Sequence, residues 1–234
     1  MTDYITPDSK HSALLIIDVQ NDFTLAGAIA EMPGTLQAVQ YIQRLVKAYR
    51  EKGYPVIHII RLYRADGSNV DLCRRNAIEG GKQVVIAGSD GAELMDELKL
   101  SNNIRLNSNL LLSGHPQQVG SMEWVIYKPR WGAFYNTQLE KHLHNLHVNT
   151  IVVCGCNYPN CPRTTIYEAS ERDFRIVLAK DATSLIYDIA LQELKNIGVS
   201  LMDTDECLAW LAAAGTKIQE PEQKFNTHNM VGSK

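Results

Sequence analysis

Short apolar runs recur along the chain, each bounded by polar or turn-forming residues. Such runs are typical of strands buried on both faces of a parallel sheet. The predicted strands are 12–19, 54–60, 123–128, 150–155, 175–180 and 199–202. Apolar residues at helical spacing predict helices over 35–52, 137–146, 162–172, 187–197 and 203–214. This alternation predicts an α/β fold with three layers, α-β-α, around a central, mostly parallel, Rossmann-like sheet of about six strands.

Residues 61–122 lack this regular pattern and predict an elaborated crossover that lies over a functional site. Within it we expect a short helical turn at 76–81, an edge strand at 83–87 and a helix at 89–98. We expect residues 1–215 to form a single domain. The polar tail 216–234 is expected to be a flexible arm or to pack on a neighbouring subunit.

Composition narrows the class of protein. The chain has 234 residues with a formal net charge of −3, and its pI is about 6.2. This balance argues against a nucleic-acid or membrane-surface binder. The N-terminus has no apolar core of a signal peptide, and no apolar run is long enough for a membrane span. Five cysteines, an odd number, predict reduced thiols and a cytoplasmic protein rather than a disulfide framework.

Reactive side chains follow three of the predicted strands. Asp18 ends the first strand, Lys128 ends the strand at 123–128, and Cys161 follows the strand at 150–155 after a short turn. Because parallel strands end at one edge of a sheet, we expect these three side chains to meet there. Pro162 suits the first helical position, which puts Cys161 at the helix N-cap and predicts a lowered thiol pKa. The set predicts an activated cysteine nucleophile, although each residue alone also suits a structural role.

Three motifs in this order resemble the isochorismatase-like cysteine hydrolases, which include nicotinamidases, N-carbamoylsarcosine amidohydrolase and ureidoacrylate amidohydrolase. They are LLIIDVQNDF at 14–23, KPRWGAF at 128–134 and GCNYPNCPRTTIYEA at 155–169, and the resemblance spans about residues 12 to 205. It implies hydrolysis of a C–N bond of a small linear amide, carbamoyl or ureido compound through a thioester. A homodimer or homotetramer is also implied.

The resemblance also implies a role for each matched residue. Asp18 would be the general base, Lys128 the residue that tunes the charge, and Cys161 the nucleophile. A cis peptide would join Cys156 and Asn157, and the N–H groups of Asn157 and Cys161 would form the oxyanion hole. Nicotinamidases carry an aspartate and histidines after the second strand, spaced for a metal.

The chain departs from the family pattern at several positions. Here the stretch after the second strand reads HIIRLYRADGSN, in which His58 is the single histidine, so we expect no catalytic metal and no cofactor. Pro162 and Tyr158 also replace the family's usual residues at the rim of the expected pocket. These departures bear on the substrate more than on the reaction.

Candidate substrate-binding residues surround the motifs. Arg61, Arg64 and Arg130 are candidates to clamp a substrate carboxylate, the alternative being that they are solvated or paired with Asp66 or Asp71. Aromatic residues are candidates to wall the pocket, the alternative being ordinary core packing. These aromatic candidates are Phe23, Trp131 and Tyr158.

The same residues are compatible with other functions. Zinc bound by Cys154, Cys156, Cys161 and His115 is one, although the cysteine spacing is unlike that of a zinc knuckle. The histidines at 142, 144 and 147 lie on a predicted helix and suit a solvated face. No glycine-rich phosphate loop follows any strand, which argues against nucleotide binding. The main alternative is a non-catalytic small-molecule-binding or scaffold protein on the same fold.

Overall fold

A computed structural model describes residues 4–213 and has one seven-stranded sheet within them. The strands are β1 (Ser12–Ile17), β2 (Val56–Ile60), β3 (Gln117–Gly120), β4 (Glu123–Tyr127), β5 (Thr150–Gly155), β6 (Arg175–Thr183) and β7 (Ser200–Met202). Their order is β3-β4-β2-β1-β5-β6-β7, and every pair is parallel except β3 with β4. The predicted parallel α/β sheet is confirmed, and β3 adds a seventh strand at the edge.

Helices cover both faces of the sheet. The α-helices are α1 (Asn21–Thr24), α2 (Thr35–Lys52), α3 (Leu72–Glu79), α4 (Ser108–Leu112), α5 (Leu139–Asn145), α6 (Cys161–Ser170), α7 (Asp188–Asn196) and α8 (Thr204–Ala213). Buried residues of α5, α6 and α7 share one core with the sheet, and those of α2 and α8 share a second core. The three-layer arrangement is therefore confirmed.

Strand β1 shows why these runs are continuously apolar. Leu15 and Ile17 pack into the core beneath α5, α6 and α7, whereas Leu14 and Ile16 pack into the core beneath α2. Successive side chains of a strand point to opposite faces, so a central strand covered on both sides needs an apolar residue at every position. All six residues of β1 are buried.

The segment 61–122 departs most from expectation. The edge strand predicted at 83–87 is wrong, because the structure has turns there and a single bridge between Tyr63 and Ile86. The helix predicted at 89–98 is instead two short 3-10 turns, Asp90–Ala92 and Asp96–Leu98. The helical turn predicted at 76–81 belongs to α3, which begins earlier.

Gln20 and Asp22, which follow β1, hold residues 61–92 over the carboxyl ends of the strands through hydrogen bonds. The Gln20 side chain accepts the N–H of Arg61 at 2.8 Å and donates to the carbonyls of Arg61 and Ala92 at 2.8 and 2.7 Å. Asp22 accepts the N–H of Val85 at 2.6 Å. The segment thus forms a third buried cluster above the strand ends.

Within residues 4–213, no helix has the length and apolar character needed to cross a membrane. The predicted arm at 216–234 lies outside the described residues.

Candidate active site

The strand ends place two charged side chains at one edge of the sheet. The N–H of Asp18, just after β1, donates to the carbonyl of Ile59 at 2.8 Å. The N–H of Lys128, just after β4, donates to the carbonyl of Ile60 at 2.9 Å. Both residues thus remain tied to β2, which lies between their strands, and their side chains start from adjacent positions.

Lys128 joins the two other predicted residues. Its ammonium lies 2.8 Å from Oδ2 of Asp18 and 3.3 Å from Sγ of Cys161, and it also donates to the carbonyl of Arg130 at 3.3 Å. Lys128 is completely buried, and Asp18 and Cys161 are each 4% exposed. The structure therefore brings together the carboxylate, ammonium and thiol that were predicted to meet at this edge.

Side chains of α6 hold the nucleophile's helix against the loop that follows Lys128. The hydroxyl of Thr165 donates to the carbonyl of Cys161 at 2.8 Å and accepts the N–H of Ala133 at 3.1 Å. Glu168 accepts the N–H of Phe134 at 2.9 Å. A Cβ at Gly132 would overlap the Glu168 carboxylate, so glycine allows this close approach.

Helix α6 begins at Cys161, with Asn160 at the N-cap. Pro162 is therefore the second residue of the helix, whereas the sequence predicted it to be the first. Burial raises the pKa of the Cys161 thiol to about 11, and the Asp18 carboxylate adds to this effect. Lys128 and Arg61 oppose it but do not outweigh it. The expected lowered pKa is therefore wrong, because burial and a nearby carboxylate exceed the effect of the helix N-terminus.

Asp18 combines an unusual backbone conformation with an incompletely paired carboxylate. Its φ is 52°, in the left-handed region that costs a non-glycine residue free energy. Oδ2 accepts from Lys128, whereas Oδ1 is buried and has no hydrogen-bond partner within residues 4–213. A buried carboxylate oxygen without a partner is suited to take a proton.

The turn between β5 and α6 is fixed by main-chain contacts. The N–H of Cys156 donates to the carbonyl of Ile17 at 2.7 Å, and that of Tyr158 to Ser184 at 2.9 Å. Gly155 has φ of 115°, and a Cβ there would overlap the Ile17 backbone, so this crossing requires glycine.

The cis peptide expected between Cys156 and Asn157 is not present; every peptide bond in residues 4–213 is trans. The trans form is the lower in free energy for a non-proline bond. Within the same residues, the N–H groups of Asn157 and Cys161 have no hydrogen-bond acceptor. These are the two donors that were expected to bind an oxyanion.

A small pocket opens onto the thiol. Its lining includes Asp18, Phe23, Arg74, Asn157 and Cys161, and its volume is about 10 Å³. This is at most the space of one water molecule. Phe23 thus lies at the pocket, as predicted, although it is also buried in the cluster above the strand ends.

A family model described as the isochorismatase domain matches residues 12–206. The chain belongs to the isochorismatase family. A probable inactive nicotinamidase from Arabidopsis thaliana is 32% identical over 196 residues, which cover 81% of this chain and 91% of that protein. A maleamate amidohydrolase from Pseudomonas putida is 27% identical over 172 residues, which cover 74% and 71%. An isochorismatase family protein from Desulfovibrio vulgaris superposes with a TM-score of 0.73 at 30% identity, covering 86% and 98%.

Isochorismatase-family membership confirms the resemblance carried by the three motifs.

The arginines predicted to clamp a carboxylate are placed differently from the expectation. Arg61 is 1% exposed, and its Nη1 lies 2.7 Å from both carboxylate oxygens of Asp71. Arg130 lies 3.9 Å from the same carboxylate, and Arg64 is on an exposed loop with its N–H donating to Asn69. Pairing with Asp71, the alternative interpretation, describes Arg61 and Arg130.

Arg61 nevertheless remains partly unsatisfied. Its Nε and Nη2 are buried without hydrogen-bond partners within residues 4–213. The charges of Asp18 and Cys161 help to raise its pKa despite burial, so the guanidinium lies within electrostatic reach of the site. Trp131 stacks against it, with 5.5 Å between the Arg61 guanidinium carbon and the ring centre.

Tyr158 was predicted to wall the pocket but lies in the core beneath α6, completely buried. Its ring packs edge-to-face on Tyr187 with 5.7 Å between centres. Burial raises the pKa of the Tyr158 phenol to about 12. The residue therefore stabilises the turn from below rather than forming the mouth.

Arg74 on α3 is the site residue that sequence reasoning missed. Its guanidinium carbon lies 5.1 Å from the Trp131 ring centre and 5.6 Å from that of Phe23, and Nη1 donates to the Tyr63 hydroxyl at 3.1 Å. Arg74 and Ile78 are four residues apart, so they share one face of α3. The signal that the sequence offered was a charged residue, Arg74, at helical spacing from the apolar residue Ile78.

The zinc alternative does not fit the positions of the cysteines. Cys154 points into the core beneath α2, and Cys161 into the core on the opposite face of the sheet. His115 lies on the surface, hydrogen-bonded to Ser113. Among the described residues, no group of three or more histidine, cysteine, aspartate or glutamate side chains is placed to hold a metal ion.

Proposed function

We propose that this isochorismatase-family protein is a cysteine amidohydrolase that cleaves a C–N bond of a small linear amide, carbamoyl or ureido compound. The observation that carries the proposal is the Lys128 ammonium, which contacts both the Asp18 carboxylate and the Cys161 thiol. In this arrangement a base, a cation and a nucleophile share one buried site. The relatives named as amidohydrolases support the same class of reaction.

The first step is transfer of the thiol proton to Asp18. Burial, and then the charge of Asp18, raise the pKa of Cys161, which favours the protonated thiol at pH 7, so a base is needed. Oδ1 of Asp18 is the acceptor in this proposal because it has no other partner. Lys128 then stabilises the thiolate that forms.

The thiolate next attacks the carbonyl carbon of the substrate and forms a C–S bond. The carbonyl oxygen becomes an oxyanion, and the N–H groups of Asn157 and Cys161 are proposed to bind it. Each such donor stabilises the transition state by about 3 kcal/mol. Their lack of protein acceptors supports this assignment.

Collapse of this intermediate breaks the C–N bond, and Asp18 returns its proton to the departing nitrogen. Water then attacks the thioester while Asp18 accepts its proton. The C–S bond breaks, the acid product leaves, and Cys161 regains a proton. Dividing the hydrolysis in this way replaces one difficult step by two easier ones. No step in this sequence requires a metal or a cofactor.

A screen of linear amides, carbamoyl acids and ureido acids for ammonia release tests the proposal. We expect turnover that Cys161→Ala abolishes and that Cys73→Ser, a change at an exposed cysteine, leaves intact. Turnover that survives Cys161→Ala would contradict the proposal. So would turnover lost to a chelator and restored by zinc.

A non-catalytic small-molecule-binding protein on the same fold is the second candidate. The Arabidopsis relative named as probably inactive favours it, as does the small volume of the pocket at Cys161. Binding of amides by calorimetry without ammonia release, in both the wild type and Cys161→Ala, would identify this alternative.

The setting of the reaction is also proposed from the resemblance. Residues 1–215 would act as a single domain within a homodimer or homotetramer in the cytoplasm. Exposed apolar side chains such as Leu72, 81% exposed, and Ile189, 71% exposed, are consistent with a covered surface. Light scattering of the purified chain measures the number of subunits.

A further inference from the structure

A second and larger cavity adjoins the pocket at Cys161. Its volume is about 210 Å³. Phe23, Met32 and Arg74 line both spaces, so these three side chains form the partition between them. At about 30 Å³ for a water-sized group, the cavity has room for roughly seven non-hydrogen atoms.

The walls of this cavity are apolar with two cations. Ile29, Ile78 and Val84 supply apolar surface, while Arg74 and Lys82 supply positive charge. Its lining contains no acidic residue. In the part of the chain that the structure describes, no carboxylate lies within salt-bridge distance of Arg74 or Lys82. A cavity of this kind fits an apolar chain that ends in an anion.

The charges around the partition add to this preference. Arg61 and Arg130 both lie within 4 Å of Asp71, and Arg74 helps to lower the pKa of the same carboxyl. Two guanidinium groups thus lie against this carboxylate, and Arg74 acts on it only through its charge. Of these three arginines, Arg74 lines the cavity, where its charge favours an anionic ligand.

We infer that this cavity binds the arm of the substrate that extends away from the scissile carbonyl, and that this arm is an apolar chain of a few carbons ending in a carboxylate. Lys82 at the mouth binds the carboxylate, and the apolar wall covers the chain. The inference rests on the proposed amidohydrolase function and narrows its substrate class to amides of ω-carboxylated chains.

The partition must open for such a substrate to reach Cys161, since the inner pocket has room for one water molecule at most. Met32 and Arg74 are long side chains with several rotatable bonds, and Met32 is unbranched. Arg74 is held by the Tyr63 hydroxyl and by two aromatic rings rather than by an ion pair. We therefore assign the opening to rotation of these two side chains.

A length series of amides tests the inference. Monoamides of dicarboxylic acids with one to six methylene groups are compared with methyl-ended amides of equal length, using ammonia release. We expect kcat/KM to pass through a maximum near four methylene groups, the length that fills the cavity. At that length the carboxylated amide should exceed the methyl-ended amide about tenfold, as a charge-assisted contact at an exposed lysine predicts.

Variants at Lys82 separate recognition from a structural effect. Lys82→Met should remove the tenfold preference, and Lys82→Glu should reverse it in favour of an amine-ended amide. Arg75→Gln is the matched control, because Arg75 is exposed on α3 and does not line the cavity. It should leave both activities unchanged.

A binding measurement keeps this inference separate from the proposed function. Adipic acid monoamide is titrated into Cys161→Ser, with and without Lys82→Met, by calorimetry. Binding weakened about tenfold by Lys82→Met, even without turnover in the wild type, would support the cavity and overturn the proposed hydrolysis. Turnover of all amides without preference for the carboxylate would support hydrolysis and overturn the cavity's role. Neither binding nor turnover would overturn both.

Discussion

Asp18 and Lys128 form an ion pair of 2.8 Å that is almost completely removed from water, with side chains 6% and 0% exposed. Removing one partner of a buried pair leaves the other charge unpaired, at a cost of about 3–5 kcal/mol. The pair therefore links the stability of the sheet edge to the proposed chemistry of Cys161.

Replacement of the lysine tests this link. Lys128→Met should lower the free energy of unfolding by about 3 kcal/mol and kcat by about a thousandfold. Urea unfolding and ammonia release measure the two effects. Lys47→Met, at an exposed lysine on α2, is the control and should change neither by much. Equal behaviour of the two variants would show that the buried ammonium has no special role.

Removal of the Asp18 charge should separate thiol acidity from activity. Burial and then the Asp18 carboxylate raise the pKa of Cys161 to about 11, so Asp18→Asn should lower this pKa while burial still keeps it high. The variant should nonetheless be inactive, because it lacks the base. Thiolate absorbance against pH, with Cys161→Ser subtracted, measures the shift. A rise of the thiol pKa in Asp18→Asn is the opposite result.

Thiol labelling should follow exposure rather than the proposed reactivity. Cys73 is exposed, whereas the cysteines at 154, 156, 161 and 207 are buried. Burial raises the pKa of Cys161 and of Cys156, the latter to about 12. Iodoacetamide at pH 7 should therefore modify Cys73 first, and Cys73→Ser should remove the fast phase seen by mass spectrometry. Fast labelling at Cys161 in that variant would mean that the pocket is open in solution.

Acid should weaken the fold through a carboxyl away from the site. Burial alone would raise the pKa of Glu123, but hydrogen bonds from Arg50 and His58 bring it from 4.5 to about 2. A depressed folded-state pKa stabilises the protein fully above the unfolded value and is lost as pH falls from about 4.5 to about 2. Its contribution near pH 7 is about 3 kcal/mol.

Glu123→Gln should therefore destabilise the protein by about 3 kcal/mol near neutral pH, and by much less near pH 2. Urea unfolding at several pH values measures the difference. Glu51→Gln, at an exposed carboxyl, should show no such pH dependence. A constant deficit across the pH range for Glu123→Gln would assign the effect to packing rather than to the charge.

A methyl group at Gly132 should disturb the site from a distance. The added Cβ would overlap Glu168 and displace the loop that carries Lys128. We expect Gly132→Ala to lower kcat, and Glu168→Ala in the same chain to restore part of it by removing the overlap. Ammonia release measures both variants. Absence of any recovery in the double variant would locate the damage elsewhere.

Local sequence was enough to predict the positions of Asp18, Lys128 and Cys161, because each follows a short apolar run that has few alternatives to a buried strand. β3 was missed because Gln117–Gly120 is short, largely polar and at the edge of the sheet. Arg74 was missed because its approach to Trp131 depends on the path of residues 61–122, where periodicity is weak. The predicted thiol pKa of Cys161 was wrong because that pKa depends on burial and on the charges of Asp18, Lys128 and Arg61, which lie far apart in the sequence.

The attachment of residues 61–92 by Gln20 and Asp22 has a consequence for how this fold accepts new sequences. Gln20 and Asp22 bind main-chain atoms of Arg61, Val85 and Ala92, which every non-proline residue provides. These hydrogen bonds place few demands on side-chain identity, and the remaining demand comes from the buried apolar positions of the segment, such as Leu62 and Val84. We expect a graft that keeps apolar residues at those buried positions to retain these attachments while it changes the surface near Cys161, so that the choice of substrate changes without a change in the reacting residues.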